Sequence, residues 1–250
     1  VPYAIGFISL CTYPQELDGR PVGEVSIKGV FVHMWQTLHD SVKIAGLRRL
    51  MVESMGFEGF FDVVKDYLQP MIKAMILGLP LLLALGDDRR ATLLIGAVYF
   101  FFHLGSAWSS RQAHRLSRHF NGDDRASGFM WRVMALIYLA MLPCLVLELY
   151  YPVLALFFLL FLMQGAWRPL IISRFDAYSP ETHGTSVLSV ESQSQTFAKM
   201  LLAPALGFAV DLIAAAAPGG GGKFWPIAAV GVLISASRLL GGSAAPNRQR

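Results

Sequence analysis

Charge is scarce in this sequence. Asp, Glu, Lys and Arg make up 15% of its 250 residues, against roughly 25% in an average soluble domain, and that shortage argues against water as the chain's main solvent. Cysteine is nearly absent. Cys11 and Cys144 each sit in an apolar run, without the Cys-x-x-Cys spacing or the paired framework of redox, metal or disulfide sites. His-Glu-x-x-His, Gly-x-Ser-x-Gly and a glycine-rich phosphate loop ending in Lys-Ser/Thr are all missing, and the run Gly219 to Gly222 lacks the strand and helix such a loop needs. No catalytic residue, metal ligand or cofactor is therefore expected. The pI of 9.2 would suit a nucleic-acid partner, but the basic residues fall between apolar runs and no aromatic-basic stripe accompanies them. The opening at Val1 has neither the basic n-region nor the small-residue cleavage site of a signal peptide.

What the sequence does have is hydrocarbon: 54% hydrophobic residues and a mean hydropathy of +0.49. Apolar runs near the ~20 residues needed to cross a bilayer recur from Tyr67 onward. The spacing predicts spans over Phe57–Leu85, Ala91–Ser110, Gly128–Leu147, Pro152–Ser173, Ser186–Ala214 and Phe224–Leu240. Before them, Val30, Phe31, Met34, Leu38, Val42, Ala45 and Leu50 recur at three- and four-residue steps among charged neighbours, the pattern of an amphipathic helix on a membrane surface. The expected organisation is all-α and polytopic: residues 1–14 the end of a preceding span, 15–56 a cytoplasmic linker with the amphipathic helix, 57–241 a six-helix transmembrane bundle and 242–250 a cytoplasmic tail. The short opening stretch suggests a fragment of a longer chain.

Alternating spans divide the basic residues unevenly. Lys and Arg from Arg20 to Arg49, from Arg111 to Arg132, at Arg168 and Arg174, and from Arg238 onward share one side, while only Arg89, Arg90 and Lys223 fall on the other. The positive-inside rule makes the first side, and the C-terminus, cytoplasmic.

Several strings carry a family resemblance. Arg168-Pro169-Leu170, Ser179-Pro180-Glu181, the run Gly184-Thr185-Ser186-Val187-Leu188-Ser189-Val190-Glu191-Ser192, Pro204-Ala205-Leu206-Gly207 and Asp211 together are similar to the passage through the tenth and eleventh helices of bacterial major facilitator superfamily transporters. Asp66-Tyr67-Leu68-Gln69-Pro70 resembles their seventh helix. Gly105, Ser109, Arg111, Arg115 and Arg118 resemble the degenerate cytoplasmic loop motif between helices eight and nine, with Ser109 where the motif has Asp. The resemblance implies a C-terminal six-helix half (helices seven to twelve) in a bacterial inner membrane. It also implies an N-terminal six-helix half as partner, and secondary transport of a small-molecule substrate, with a possible coupled proton, by rocking around a midplane site.

Ionisable groups inside spans cost at least a few kcal/mol unless they face a cavity or a partner, so they are the candidate pathway residues. Glu191, Gln195 and Lys199 repeat every four residues on one helix face. At 1.5 Å per residue, Glu191 and Arg168 each enter about five residues from the cytoplasmic end and are expected to pair, while Lys199 reaches the midplane. Asp62, Lys65, Asp66 and Gln69 stand at i, i+3 and i, i+4 spacings on the first span, either lining the same cavity with Asp66 or Glu191 as proton carrier, or solvated at the interface if that span starts nearer Tyr67. Gln164 either meets substrate or bonds a neighbouring helix, and His103 is expected to pack between helices rather than relay protons. Two other functions stand as alternatives: a six-span assembly protein acting as a homo-oligomer, and a membrane acyltransferase using the His119/Asp124 spacing.

Overall fold

The computed structural model describes residues 39, 43–77, 86–176, 184–216 and 222–241. Every regular element among the described residues is helical. Helix α1 (Ala45–Ser54), a π-helical turn (Met55–Gly59), α2 (Phe60–Asp66) and α3 (Leu68–Leu77) run on from one another; α4 (Asp87–His119), α5 (Asp123–Val146), α6 (Tyr150–Asp176), α7 (Gly184–Ala216) and α8 (Trp225–Leu240) follow. The expected stub at 1–14, most of the 15–56 segment, Ser179-Pro180-Glu181 and the tail at 242–250 lie outside the described residues.

Helices α4, α5 and α6 and residues Leu188–Ala216 of α7 are long and apolar enough to cross a membrane. These are four of the six expected spans. The last, α8, is apolar but has 16 residues, about 24 Å of helix. The first, expected over Phe57–Leu85, falls on the end of the π turn, α2 and α3 as far as Leu77, and its remaining residues, 78–85, lie outside the described residues.

Turn chemistry explains where the long helices stop. Asn121 (φ 55°) and Gly122 (φ 133°) end α4, with the Gly122 N–H donating to the Ser117 carbonyl at 2.9 Å, the six-to-one bond of a left-handed helix cap. Glu148 (φ 54°) does the same after α5, where the Leu149 N–H reaches the Cys144 carbonyl at 2.8 Å. Its carboxylate accepts the Gly222 N–H at 3.0 Å, which ties the α5–α6 turn to the start of α8.

The core is aromatic. Phe57 stacks on Trp167 at 4.0 Å between centroids and meets Trp131 edge-on at 5.5 Å, while Phe60, Tyr138, Phe157 and Phe161 are fully or almost fully buried. Two glycines sit at tight helix crossings. A Cβ on Gly165 of α6 would lie 2.1 Å from the Ser106 carbonyl oxygen of α4, and one on Gly231 of α8 would lie 2.4 Å from the Tyr138 ring of α5. The Gly165–Ser106 pair approaches as small-residue interfaces do in membranes, where close backbone packing substitutes for a hydrophobic driving force, while Gly231 leaves room for the Tyr138 ring.

Candidate functional site

Several of the polar side chains in this apolar bundle collect along one seam. On the first strand of helix, Ser54, Glu58 and Asp62 recur every four residues through the π turn; on α7, Glu191, Gln195 and Lys199 keep the same spacing. The two ladders face each other. Ser54 Oγ donates to Glu191 Oε1 at 2.5 Å, Gln195 Nε2 donates to Glu58 Oε2 at 2.6 Å and to Ser54 Oγ at 2.7 Å, and Lys199 pairs with Asp62. Lys65 holds the other Asp62 oxygen at 2.6 Å. Gly59 permits the approach: its Cβ, if present, would stand 3.2 Å from Ala198 Cβ and 3.3 Å from the Gln195 carbonyl.

Arg168 joins the ladders from α6. One nitrogen, Nη1, donates to Glu58 Oε2 at 2.8 Å and to Glu191 Oε1 at 2.9 Å, so a single half-exposed guanidinium serves two carboxylates that are 4% and 0% exposed. Each carboxylate keeps one buried oxygen, Glu58 Oε1 and Glu191 Oε2, without a hydrogen-bond partner. Such groups are expensive in a low-dielectric interior. An arrangement with two acids, one base and two unused acceptors is suited to exchanging partners.

A second cluster closes the basic end of the bundle. Glu53, 1% exposed, accepts from Arg174 at 2.6 Å and Arg49 at 3.0 Å, and pairs with Arg238. Arg174 also reaches Asp124 at 2.9 Å and Ser127 at 3.0 Å. The ends of α1, α6 and α8 and the start of α5 thus meet at one pole. Burial alone would raise the Glu53 carboxyl, but the three guanidinium groups outweigh it and hold the group below its ordinary value of 4.5. A carboxyl lowered on folding stabilises the fold above its unfolded pKa, and that contribution disappears as pH falls through the folded value. The stability gap between wild type and Glu53→Gln, measured by thermal unfolding in detergent, should be constant from pH 7 down to about 4.5 and narrow below it.

Of the residues expected from sequence, Asp62, Lys65, Arg168, Glu191, Gln195 and Lys199 are brought together here, including the Arg168–Glu191 pair. Asp66 and Gln69 are exposed. Gln164 sits half-buried on α6 with its Oε1 unpartnered. Gly105, Ser109, Arg111 and Arg115 lie within continuous α4 rather than in a loop; Gly105 packs against Phe158, whose ring would be 2.7 Å from an added Cβ, and Arg111 and Arg115 are exposed. His103 stacks with Tyr99 at 6.3 Å and meets Phe161 edge-on at 5.4 Å. The His119 ring packs on Phe120, while Asp124 is held by Arg174.

Glu53, Ser54, Glu58, Arg174 and Arg238 were not among the expected site residues. Ser54-x-x-x-Glu58-x-x-x-Asp62 was the available signal, a polar ladder with the same step as the one on α7. No group of three or more metal-binding side chains occurs among the described residues. No protein-family model, curated protein or solved structure matches this chain.

Proposed function

We propose that this chain forms one six-helix half of a secondary transporter of the major facilitator type, moving a small solute by alternating access against a second such half. The single observation that carries the reading is the double polar ladder, in which Glu58 and Glu191 are buried and Asp62 and Lys199 partly buried between apolar helices. Ionisable residues within transmembrane segments mark substrate or ion pathways in membrane proteins. Lys199 and Asp62 are only partly covered, with side chains 36% and 23% exposed, and on this reading they border the passage that a second half would enclose. The outer surface of α7 agrees. Phe197, Met200, Leu201, Phe208 and Leu212 are each more than half exposed, an apolar face open to lipid or to a companion bundle. On this reading α8 and the α2–α3 stretch complete the six spans, and the arginine-rich pole is cytoplasmic.

The test is a solute uptake and efflux screen of cells expressing the full-length protein, followed by Lys199→Ala and Asp62→Asn at matched membrane abundance. Each variant is expected to lower transport at least tenfold, while Lys199→Arg retains a substantial part of it. Unchanged transport in both neutralised variants would overturn the assignment.

A further inference from the structure

A groove of about 700 Å³ runs between α7 and α8 on the flank of α1, within the size range of ligand pockets, about 300–1,000 Å³. Its walls are apolar: Val52, Met55, Trp131, Leu201, Leu202 and Ile234. Its end is not. Arg48, Arg49 and Arg238 line the mouth at the basic pole beside the Glu53 carboxylate, and Arg174 just behind pairs with Glu53 and Asp124. Arg48 is exposed and has no side-chain ion pair or hydrogen bond among the described residues.

We propose that this groove binds an anionic phospholipid, its acyl chain along the apolar wall and its phosphodiester at Arg48 and the arginines beside it. The order of polarity matches that of a lipid, greasy along the length and charged at one tip, whereas an acidic helix would bring charge along its whole length to a wall that offers none. The groove also opens on the flank of helices that are long and apolar enough to sit in a bilayer. This inference does not depend on transport.

The experiment uses the full chain, delipidated in a neutral detergent, titrated with phosphatidylglycerol or with phosphatidylcholine of the same acyl chains. Bound lipid is counted by native mass spectrometry and stability is followed by thermal unfolding. Phosphatidylglycerol should bind at least tenfold more tightly than phosphatidylcholine and raise the melting temperature. Arg48→Gln should weaken it about fivefold, the equivalent of the ~1 kcal/mol that one basic side chain contributes near an anionic surface. Ser237→Trp, which places a large ring in the groove from an exposed position, should abolish the preference without lowering the lipid-free melting temperature. Equal binding of the two lipids, or phosphatidylglycerol binding that survives Ser237→Trp, overturns the proposal. So does competition by inorganic phosphate at the lipid's own concentration, which would mark a simple anion site. A change in oligomeric mass on Ser237→Trp with no response to lipid overturns it too, since a second copy would then fill the groove.

Discussion

Arg168→Gln is expected to lower the unfolding free energy by about 3 kcal/mol, the lower end of the range for removing one partner from a buried ion pair. The lower end applies because the Arg168 side chain is 41% exposed, whereas its acceptors Glu58 and Glu191 are 5% and 0% exposed. The loss comes less from the missing attraction than from two carboxylates left in an apolar bundle with only Gln195 and Ser54 to solvate them. A double-mutant cycle separates these contributions. Adding Glu58→Gln to Arg168→Gln removes one of the stranded charges, so the double variant should be more stable than Arg168→Gln alone. Equilibrium unfolding in mild detergent checks both steps, and a double variant less stable than the single one would show that Arg168 acts by packing rather than by charge.

The second large effect is steric. Gly165→Val should destabilise the protein by about 3 kcal/mol or more, at or beyond the usual cost of overpacking, because the first added carbon would fall 2.1 Å from a backbone carbonyl oxygen, which cannot swing aside as a side chain can. Relief requires α4 and α6 to separate along their whole crossing. Gly96→Ala on α4 is the matched control: nothing lies within 4 Å of its added methyl, and a helical alanine there should be neutral or stabilising by a few tenths of a kcal/mol to about 1 kcal/mol. A Gly165→Val protein that unfolds at the wild-type temperature would mean that the two helices do not cross where the structure has them.

Much of the architecture was legible because hydropathy reports solvent, and solvent decides where long apolar helices lie. The spans read at Ala91–Ser110, Gly128–Leu147, Pro152–Ser173 and Ser186–Ala214 fall inside or close to the boundaries of α4, α5, α6 and α7. The helices overrun the apolar windows because helix propagation does not need hydrocarbon. Arg111 to His119 are mostly helix-tolerant residues, and α4 continues through them until Asn121 and Gly122 turn the chain.

The site was legible only in part, for a related reason. Glu191, Gln195 and Lys199 announced themselves as polar residues inside an apolar run, but Glu53 and Ser54 precede the run that begins near Phe57 and so read as surface, although both are buried. Arg174 and Arg238 read as loop charges at helix ends. Their burial follows from four segments converging on one pole, a property of tertiary arrangement that no window along the chain contains.

The π turn at Met55–Gly59 bears on how the two ladders stay in step. In a regular α-helix, positions four apart overshoot a full revolution by about 40°, so a row of every-fourth residues winds slowly around the rod. A π turn packs extra chain into each revolution, so the same step there falls short instead. The Ser54–Glu58 interval crosses that wide coil and the Glu58–Asp62 interval largely leaves it; one lag offsets one lead, and the row of oxygens is straightened toward the helix axis at the place where α7 must read it.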